Sequence, residues 1–283
     1  MTQTVSTDPD MMTVIIPANN EEALLPHCLE AVLAQDDKGA VEVIVAANAC
    51  TDGTVAVAES FDERFAARAW ALVVLDLPDG GKLRALNAAD AHVTGDMRVY
   101  LDADVICDPA LFGQLREAMS VPDARYVTGT LAVARAQSWV TRAYARIWTE
   151  LPFVKSGAVG AGLFAANGPG RARWGAFPDI ISDDTYVRLQ FKSDERVEVP
   201  ARYHWPMVEG LQNLIKVRRR QDIGVAQVAN RYPNLMANEG KARLRKLDLI
   251  GLAVRRPLGF AVYLTVHIMA RRGRQTHEWT RGR

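Results

Sequence analysis

Residues 98–109 read RVYLDADVICDP. An apolar run, Val99–Tyr100–Leu101, stops at two carboxylates, Asp102 and Asp104, with only Ala103 between them. One reason to place acids there is a helix cap, because an Asp side chain accepts from the orphan N–H groups of a first turn. The stretch that follows, CDPALFGQLREAM, already offers its own cap in Asp108, with Pro109 at the first helical position, where a missing N–H costs nothing. The other reason is a cation. Two carboxylates this close repel each other unless positive charge neutralises them. A pair of oxygen ligands suits Mg²⁺ or Mn²⁺, which bind through one or two carboxylates plus substrate phosphates. The pattern D-x-D alone decides little, so its surroundings must carry the reading.

Upstream of it the chain alternates strand and helix signals. MTVIIP (12–17), VEVIVAA (41–47), WALVVLDL (70–77) and MRVYLDA (97–103) read as strands. EEALLPHCLEAVLAQ (21–35), TVAVAESFDERFAAR (54–68) and KLRALNAADAHV (82–93) read as helices between them. Near-continuous Val/Ile/Leu strands separated by helices predict an α/β domain with a mostly parallel central sheet flanked by helices. Ligands bind outside the carboxyl ends of such strands. The polar clusters fall there: ANNEE, NACTDG, DGGK and DAD, one after each of the four strands. The second half is less regular. A strand is expected over 124–134, a helix over 138–151, a Gly- and Pro-rich binding loop over 159–178, and a helix starting at SDDTYVRLQ (182–190), with Ser182 or Asp183 as cap.

The 283 residues are 49% hydrophobic and 24% charged, an ordinary globular balance. Cys28, Cys50 and Cys107 lie far apart, which excludes a zinc ribbon and fits a reducing, cytoplasmic compartment. The polar start MTQTVSTDPD lacks the features of a signal peptide. The charge is unevenly spread. Residues 241–283 hold eleven Lys/Arg against two acids, a net of +9 that leaves −8 for the remainder. Within them PLGFAVYLTVHIMA (257–270) carries no formal charge, yet spanning a bilayer takes about 20 residues. The chain therefore divides into a domain over 1–240 and a basic, partly apolar helical extension over 241–283. Two readings of that extension stand side by side. It lies on an anionic membrane surface, peripheral on the inner face, or it packs on the domain with a solvated basic tail.

No G-x-G-x-x-G follows the first strand, and no Walker G-x-x-x-x-G-K-[ST] occurs. The segments VIIPANNEE, VIVAANACTDGT, GGKLRALN, YLDAD and ISDDTYVRL, in this order and spacing, resemble the family 2 glycosyltransferases, inverting enzymes of the GT-A fold. The resemblance covers about residues 12–225. It implies transfer of a sugar from a nucleotide-sugar donor to a glycan or lipid-linked acceptor, with Mg²⁺ or Mn²⁺ and no nucleic acid partner. By position, Pro17, Ala18, Asn19 and Glu21 would line the nucleoside pocket. Asn48 stands where many members have an Asp that reads the base, and its amide oxygen still accepts from a base N–H. Lys82 would meet the nucleotide or its phosphates. Asp104 would hold the metal and Asp102 the ribose or the metal through water. In SDD, Asp184 is the candidate base that deprotonates the acceptor hydroxyl. Asp183, the other catalytic candidate, is equally explained as a helix-start acid. Asp52 and Gly53 are expected to make a turn. His204 is a candidate third metal ligand or an ordinary histidine. Arg219 and Arg220 are candidates for the diphosphate or a solvated helix face. The Q-x-x-R-W string of processive members is absent. Two alternatives stay open: a nucleotidyltransferase making a sugar nucleotide, which would carry a Gly-rich, Arg-containing loop after the first strand, and a non-catalytic nucleotide-sugar-binding protein.

Overall fold

The computed structural model describes residues 8–155, 158–240 and 244–272. Lys241, Arg243, Arg274, Glu278, Arg281 and Arg283 of the basic tail lie outside them. The strands are β1 (Asp8–Ala18), β2 (Val41–Asn48), β3 (Ala71–Leu77), β4 (Gly95–Leu101), β5 (Ile106–Cys107), β6 (Tyr126–Val133), β7 (Leu163–Ala166) and β8 (Arg196–Trp205). They form one sheet in the order β3-β2-β1-β4-β7-β6-β8-β5. The half built from β3, β2, β1 and β4 is wholly parallel. In the other half β7 runs antiparallel to both β4 and β6, β8 runs parallel to β6, and β5 pairs antiparallel with β8.

Strand periodicity sorts the apolar residues onto two faces. Val14, Ile16, Val43, Val45, Val99 and Leu101 face one core, with Leu25, Leu29, Leu111 and Phe112 from the helices over it. Ile15, Ile44, Ala46 and Tyr100 face the other, under Ala85, Leu86 and Ala89. Each fully buried Val, Leu, Ile or Phe contributes about 1.5–3 kcal/mol. These strands are apolar along their middles, Thr13 and Glu42 satisfying each other at 3.0 Å near the amino ends, and the polar clusters come after the carboxyl ends.

Several boundaries differ from the sequence reading. The expected helix 54–68 breaks into Thr54–Glu59 and Asp62–Ala66. The expected loop 159–178 contains β7, a buried four-residue strand. Its entry needs glycine: Gly160 and Gly162 have φ of 67° and 79°, and a Cβ on Gly162 would stand 2.6 Å from the Trp205 ring. Asp108 is not a helix cap. The helix starts at Leu111, and the Asp108 carboxylate turns to His204 instead.

The C-terminal segment packs on the domain by one face and leaves the other bare. Helix Pro257–Arg272 buries Val266 and Ala270, and Tyr263 stacks on Tyr144 of helix Trp139–Trp148 with centroids 5.6 Å apart. Arg219, on helix Leu211–Arg231, donates to the carbonyls of Met269 and Ala270, each at 3.2 Å, and so satisfies the orphan end of helix Pro257–Arg272. Leu247, Val254 and Leu258 point outward, 75%, 77% and 78% exposed. Among the described residues no helix is long and apolar enough to cross a membrane.

Candidate active site

The site grows from the carboxyl ends of β1, β2 and β4 and from the loops that tie them. Asn19 donates to the carbonyls of Asn48 and Ala49. Asn20, held at a positive φ of 53°, accepts from the Thr51 N–H at 2.7 Å. Asp52 accepts from the N–H groups of Thr54 at 3.1 Å and Glu22 at 3.3 Å, so it makes the expected turn. Asn48 is buried, donates to the Ala18 carbonyl at 2.7 Å and accepts from the Gly81 N–H at 2.9 Å. Its amide oxygen, expected to meet a base, is thus engaged in holding the DGGK loop. A carboxylate there would have no proton to offer Ala18, which accounts for Asn at this position.

Lys82 is the first residue of helix Lys82–Asp90, where the helix dipole disfavours a cation. Two carboxylates hold it: Asp102 Oδ1 at 2.8 Å and Asp183 Oδ2 at 2.9 Å. Burial opposes the ammonium charge, but Asp102 and then Asp183 outweigh it and keep Lys82 protonated well above its usual range. Asp183 is therefore more than a helix-start acid. It joins the loop before helix Asp183–Arg188 to the D-x-D segment through one lysine.

Three cavities follow one another along this line. The first, about 710 Å³, is lined by Pro17, Asn19, Glu21, Asn48, Lys82, Asp102, Asp104, Asp183 and Arg220. A narrower cleft of about 190 Å³ shares Lys82, Asp102 and Asp183 with it and adds Ser182 and Asp184. A third, about 430 Å³, shares Ser182, Asp184, Trp205 and Gln221 with the cleft and continues to Trp148, Arg188 and Arg218. Asp184 thus stands between the cleft and the third cavity. Burial and the neighbouring Asp183 push its carboxyl up to about 6, although it accepts from the Thr185 N–H at 2.6 Å. A carboxylate with that pKa is poised to exchange a proton near neutrality.

Of the residues expected from sequence, the structure gathers Pro17, Asn19, Glu21, Asn48, Lys82, Asp102, Asp104, Asp183 and Asp184 around these connected spaces. Ala18 is buried beside them and supplies its carbonyl to Asn48. His204 lines none of the three. Its Nε2 lies 3.0 Å from Asp108 Oδ1, and its strand neighbour Trp205 faces the cavities instead. Arg220 lines the first cavity and the cleft, while Arg219 is spent on the C-terminal helix. Sequence reasoning missed Trp205, Trp148, Arg218 and Gln221. Strand alternation at YHW would have found Trp205, because it and His204 must face opposite ways. It also missed the support behind Tyr100, whose ring lines the cleft. Its hydroxyl lies 3.1 Å from Asp90 Oδ1, and Asp90 also pairs with Arg98 at 2.9 Å and Arg171 at 2.7 Å.

A parallel half-sheet whose carboxyl ends carry an acidic pair, followed by a mixed half that brings further acids opposite, is the arrangement of the GT-A glycosyltransferases. Solved structures share the fold. The mannosyltransferase PcManGT from Pyrobaculum calidifontis, in complex with GDP-Man and Mn²⁺, aligns over 96% of this chain and 80% of its own, with a TM-score of 0.59 and 21% identity. S. aureus TarS 1-349 in complex with UDP-GlcNAc aligns over 91% of this chain and 72% of its own, with a TM-score of 0.53 and 15% identity.

Residues 13–174 match Glycosyl transferase family 2, and the chain belongs to that family. An N-acetylglucosaminyltransferase of Azorhizobium caulinodans is 33% identical over 135 residues, 46% of this chain and 32% of that protein. An undecaprenyl-phosphate 4-deoxy-4-formamido-L-arabinose transferase of Sodalis glossinidius is 29% identical over 144 residues, 50% of this chain and 43% of that protein. The chain thus matches less than half the length of either relative.

Proposed function

We propose that this protein transfers a sugar from a nucleotide-sugar donor to a glycan or lipid-linked acceptor by a single inverting displacement. The observation that carries this reading is the continuous run of cavities, with Asp102, Asp104 and Lys82 at one end and Asp184 where the cleft meets the third cavity. The first cavity takes the nucleotide, with Pro17, Asn19 and Glu21 beside the nucleoside. Asp183 holds Lys82 against the D-x-D segment, so that the ammonium faces the diphosphate. The acceptor hydroxyl attacks the anomeric carbon, the bond to the diphosphate breaks, and Asp184 takes the proton.

The residues present fit a hard divalent cation. Among the described residues no group of three or more His, Cys, Asp or Glu is assembled to hold a metal. A metal here would rest on Asp104, with Asp102 beside it, and complete its shell from diphosphate and water, as Mg²⁺ and Mn²⁺ do. When bound it would neutralise charge developing on the leaving diphosphate. PcManGT was solved with Mn²⁺, as was the glucosyl-3-phosphoglycerate synthase of Mycobacterium tuberculosis, which aligns with a TM-score of 0.51.

In this reading the enzyme works in the cytoplasm, with the bare apolar face of its C-terminal helices on the anionic inner surface of the membrane, where lipid-linked acceptors lie. The test is a panel of nucleotide sugars assayed for metal-dependent release of nucleoside diphosphate, by wild type and by Asp104→Ala. One donor should be consumed by wild type alone and only without chelator. Full turnover in excess chelator, or by Asp104→Ala, would overturn the metal assignment. Release of pyrophosphate from a sugar phosphate and a nucleoside triphosphate would show a nucleotidyltransferase instead.

A further inference from the structure

The cavity beyond Asp184 has a chemistry that sugar transfer alone does not require. Its wall carries three guanidinium groups, from Arg188, Arg196 and Arg218. Arg196 is consumed by the fold, since it donates to the carbonyls of Phe191, Asn238 and Glu239. Arg188 is buried and meets Glu239, through the carbonyl at 3.1 Å and Oε2 at 2.9 Å. A guanidinium has five N–H donors, so this leaves Arg188 with donors to spare. Arg218 pairs through one Nη with Asp222, one helical turn on. Its Nε is buried and meets no partner among the described residues. A buried donor left unmade is costly.

Two acids share the wall. Asp184 is the proposed base, and Glu198 is already taken by the Ala158 N–H at 3.0 Å and the Thr130 hydroxyl at 3.3 Å. Burial, and after it the like charge of Arg188, lowers the pKa of Arg196 to about 10. The cavity is also lined by aromatic rings. Trp148 and Trp205 lie 5.8 Å apart between centroids and tilted by 32°, aromatic faces of the kind a sugar ring packs against.

We propose that this cavity binds a phosphate group carried by the acceptor saccharide, with Arg218 and Arg188 as its donors. The inference rests on the sugar-transfer reading and deepens it by naming the acceptor class. Phosphate oxygens match the planar guanidinium fork. With the phosphate on the arginines and the sugar ring on the tryptophans, a hydroxyl of the same saccharide is presented to Asp184. The chemical step is unchanged, and the phosphate is neither made nor broken in it. A free sugar phosphate and a lipid-borne sugar diphosphate both supply this group.

The experiment has two arms. In the first, inorganic phosphate is titrated calorimetrically into the full chain in excess chelator, with Arg218→Met and Lys82→Met in parallel. One saturable site is expected, weakened roughly 10- to 100-fold by Arg218→Met and retained by Lys82→Met, as for loss of a charged hydrogen bond. An adventitious anion on the donor side would show the reverse pattern and overturn the proposal, as would no saturable binding. In the second arm, a sugar 1-phosphate, the same sugar on a short isoprenyl diphosphate and its neutral methyl glycoside compete as acceptors. Preference for either phosphorylated form, abolished by Arg218→Met, supports the proposal and identifies the source. Equal use of the neutral glycoside overturns it and leaves sugar transfer standing.

Discussion

On the donor side the polar groups at the strand ends already hold one another: Asn19 to the end of β2, Asn48 to Ala18 and Gly81, Lys82 to Asp102 and Asp183. On the proposed acceptor side Arg218 keeps a buried donor that meets no partner among the described residues, and Asp184 is a carboxyl pushed up to about 6 by burial and by Asp183. One half is a preformed frame whose polar groups are already engaged with one another. The other holds groups in electrostatically costly states, which the proposed acceptor would relieve. Stored electrostatic cost belongs where chemistry happens, and low cost where a nucleotide is merely seated.

The largest expected effect falls on the costly half. Asp184→Asn keeps the shape and loses the proton acceptor, so transfer should fall by roughly 10²–10⁴-fold while donor affinity survives. The wild-type rate should rise with pH through about 6, the value to which burial and Asp183 push this carboxyl. Stability should move the other way. With its folded pKa raised above the unfolded value near 3.9, Asp184 holds a proton longer in the native state. Its contribution to stability is therefore lost as pH rises from about 4 to about 6. Asp184→Asn should accordingly raise Tm at pH 7–8, with the gain vanishing near pH 4. A variant that is inactive and also less stable at pH 8 would place Asp184 with the frame.

Lys82→Met probes the seam between the halves. It leaves Asp102 and Asp183 facing each other without the ammonium that joins them. Breaking a buried pair costs about 3–5 kcal/mol, but Lys82 is 35% exposed, so water takes up part of the loss. A destabilisation of about 1–3 kcal/mol is expected, with donor affinity reduced. Calorimetry and donor titration read the two separately. Unchanged Tm would mean that the pairs contribute no net stability.

Much of the donor half was legible in the chain because its chemistry is local. Each polar cluster follows its own strand within a few residues, and β1, β2 and β4 read as strands from their apolar runs. The proposed acceptor half is assembled from residues 148 to 240, brought together by antiparallel pairings and close glycine contacts that no periodicity announces. β7 hid in a Gly-rich stretch because four residues are too short to show an alternation. His204 drew the metal reading as an isolated histidine, while the strand register had turned it toward Asp108. Asp183 looked like a helix-start acid because its partner, Lys82, lies a hundred residues earlier.

Asn48→Asp asks how rigid the donor frame is. The substitution sets a carboxylate oxygen against the Ala18 carbonyl, where an N–H now donates at 2.7 Å. A loss of about 1–3 kcal/mol is expected. Because the new carboxyl would be buried, its folded pKa should be raised. The loss should then be small near pH 4 and grow toward pH 7. If stability is untouched and only donor affinity changes, Asn48 reads the base rather than holding the DGGK loop.

The smallest effect concerns the bare face that the acceptor half presents to the outside. Leu247, Val254 and Leu258 stand exposed on two consecutive helices, and Arg255, Arg256, Arg271 and Arg272 are exposed around them. If this face rests on an anionic bilayer, its two chemistries should separate under salt. Arg272→Gln should weaken binding to phosphatidylglycerol vesicles by about 1 kcal/mol, close to five-fold, and only at low ionic strength, because the surface potential decays within a Debye length. Leu258→Ser removes apolar area instead, so its loss should persist at high salt. Cosedimentation of the full chain at two salt concentrations measures both. Helix Pro257–Arg272 stays packed on Tyr144 in each variant, since neither Leu258 nor Arg272 belongs to that inner face, and the folded core serves as its own control. Binding to neutral vesicles as tight as to anionic ones would leave the arginines without a role at the surface. No binding to either would return these helices to the domain, as a packed extension with an unused outer side.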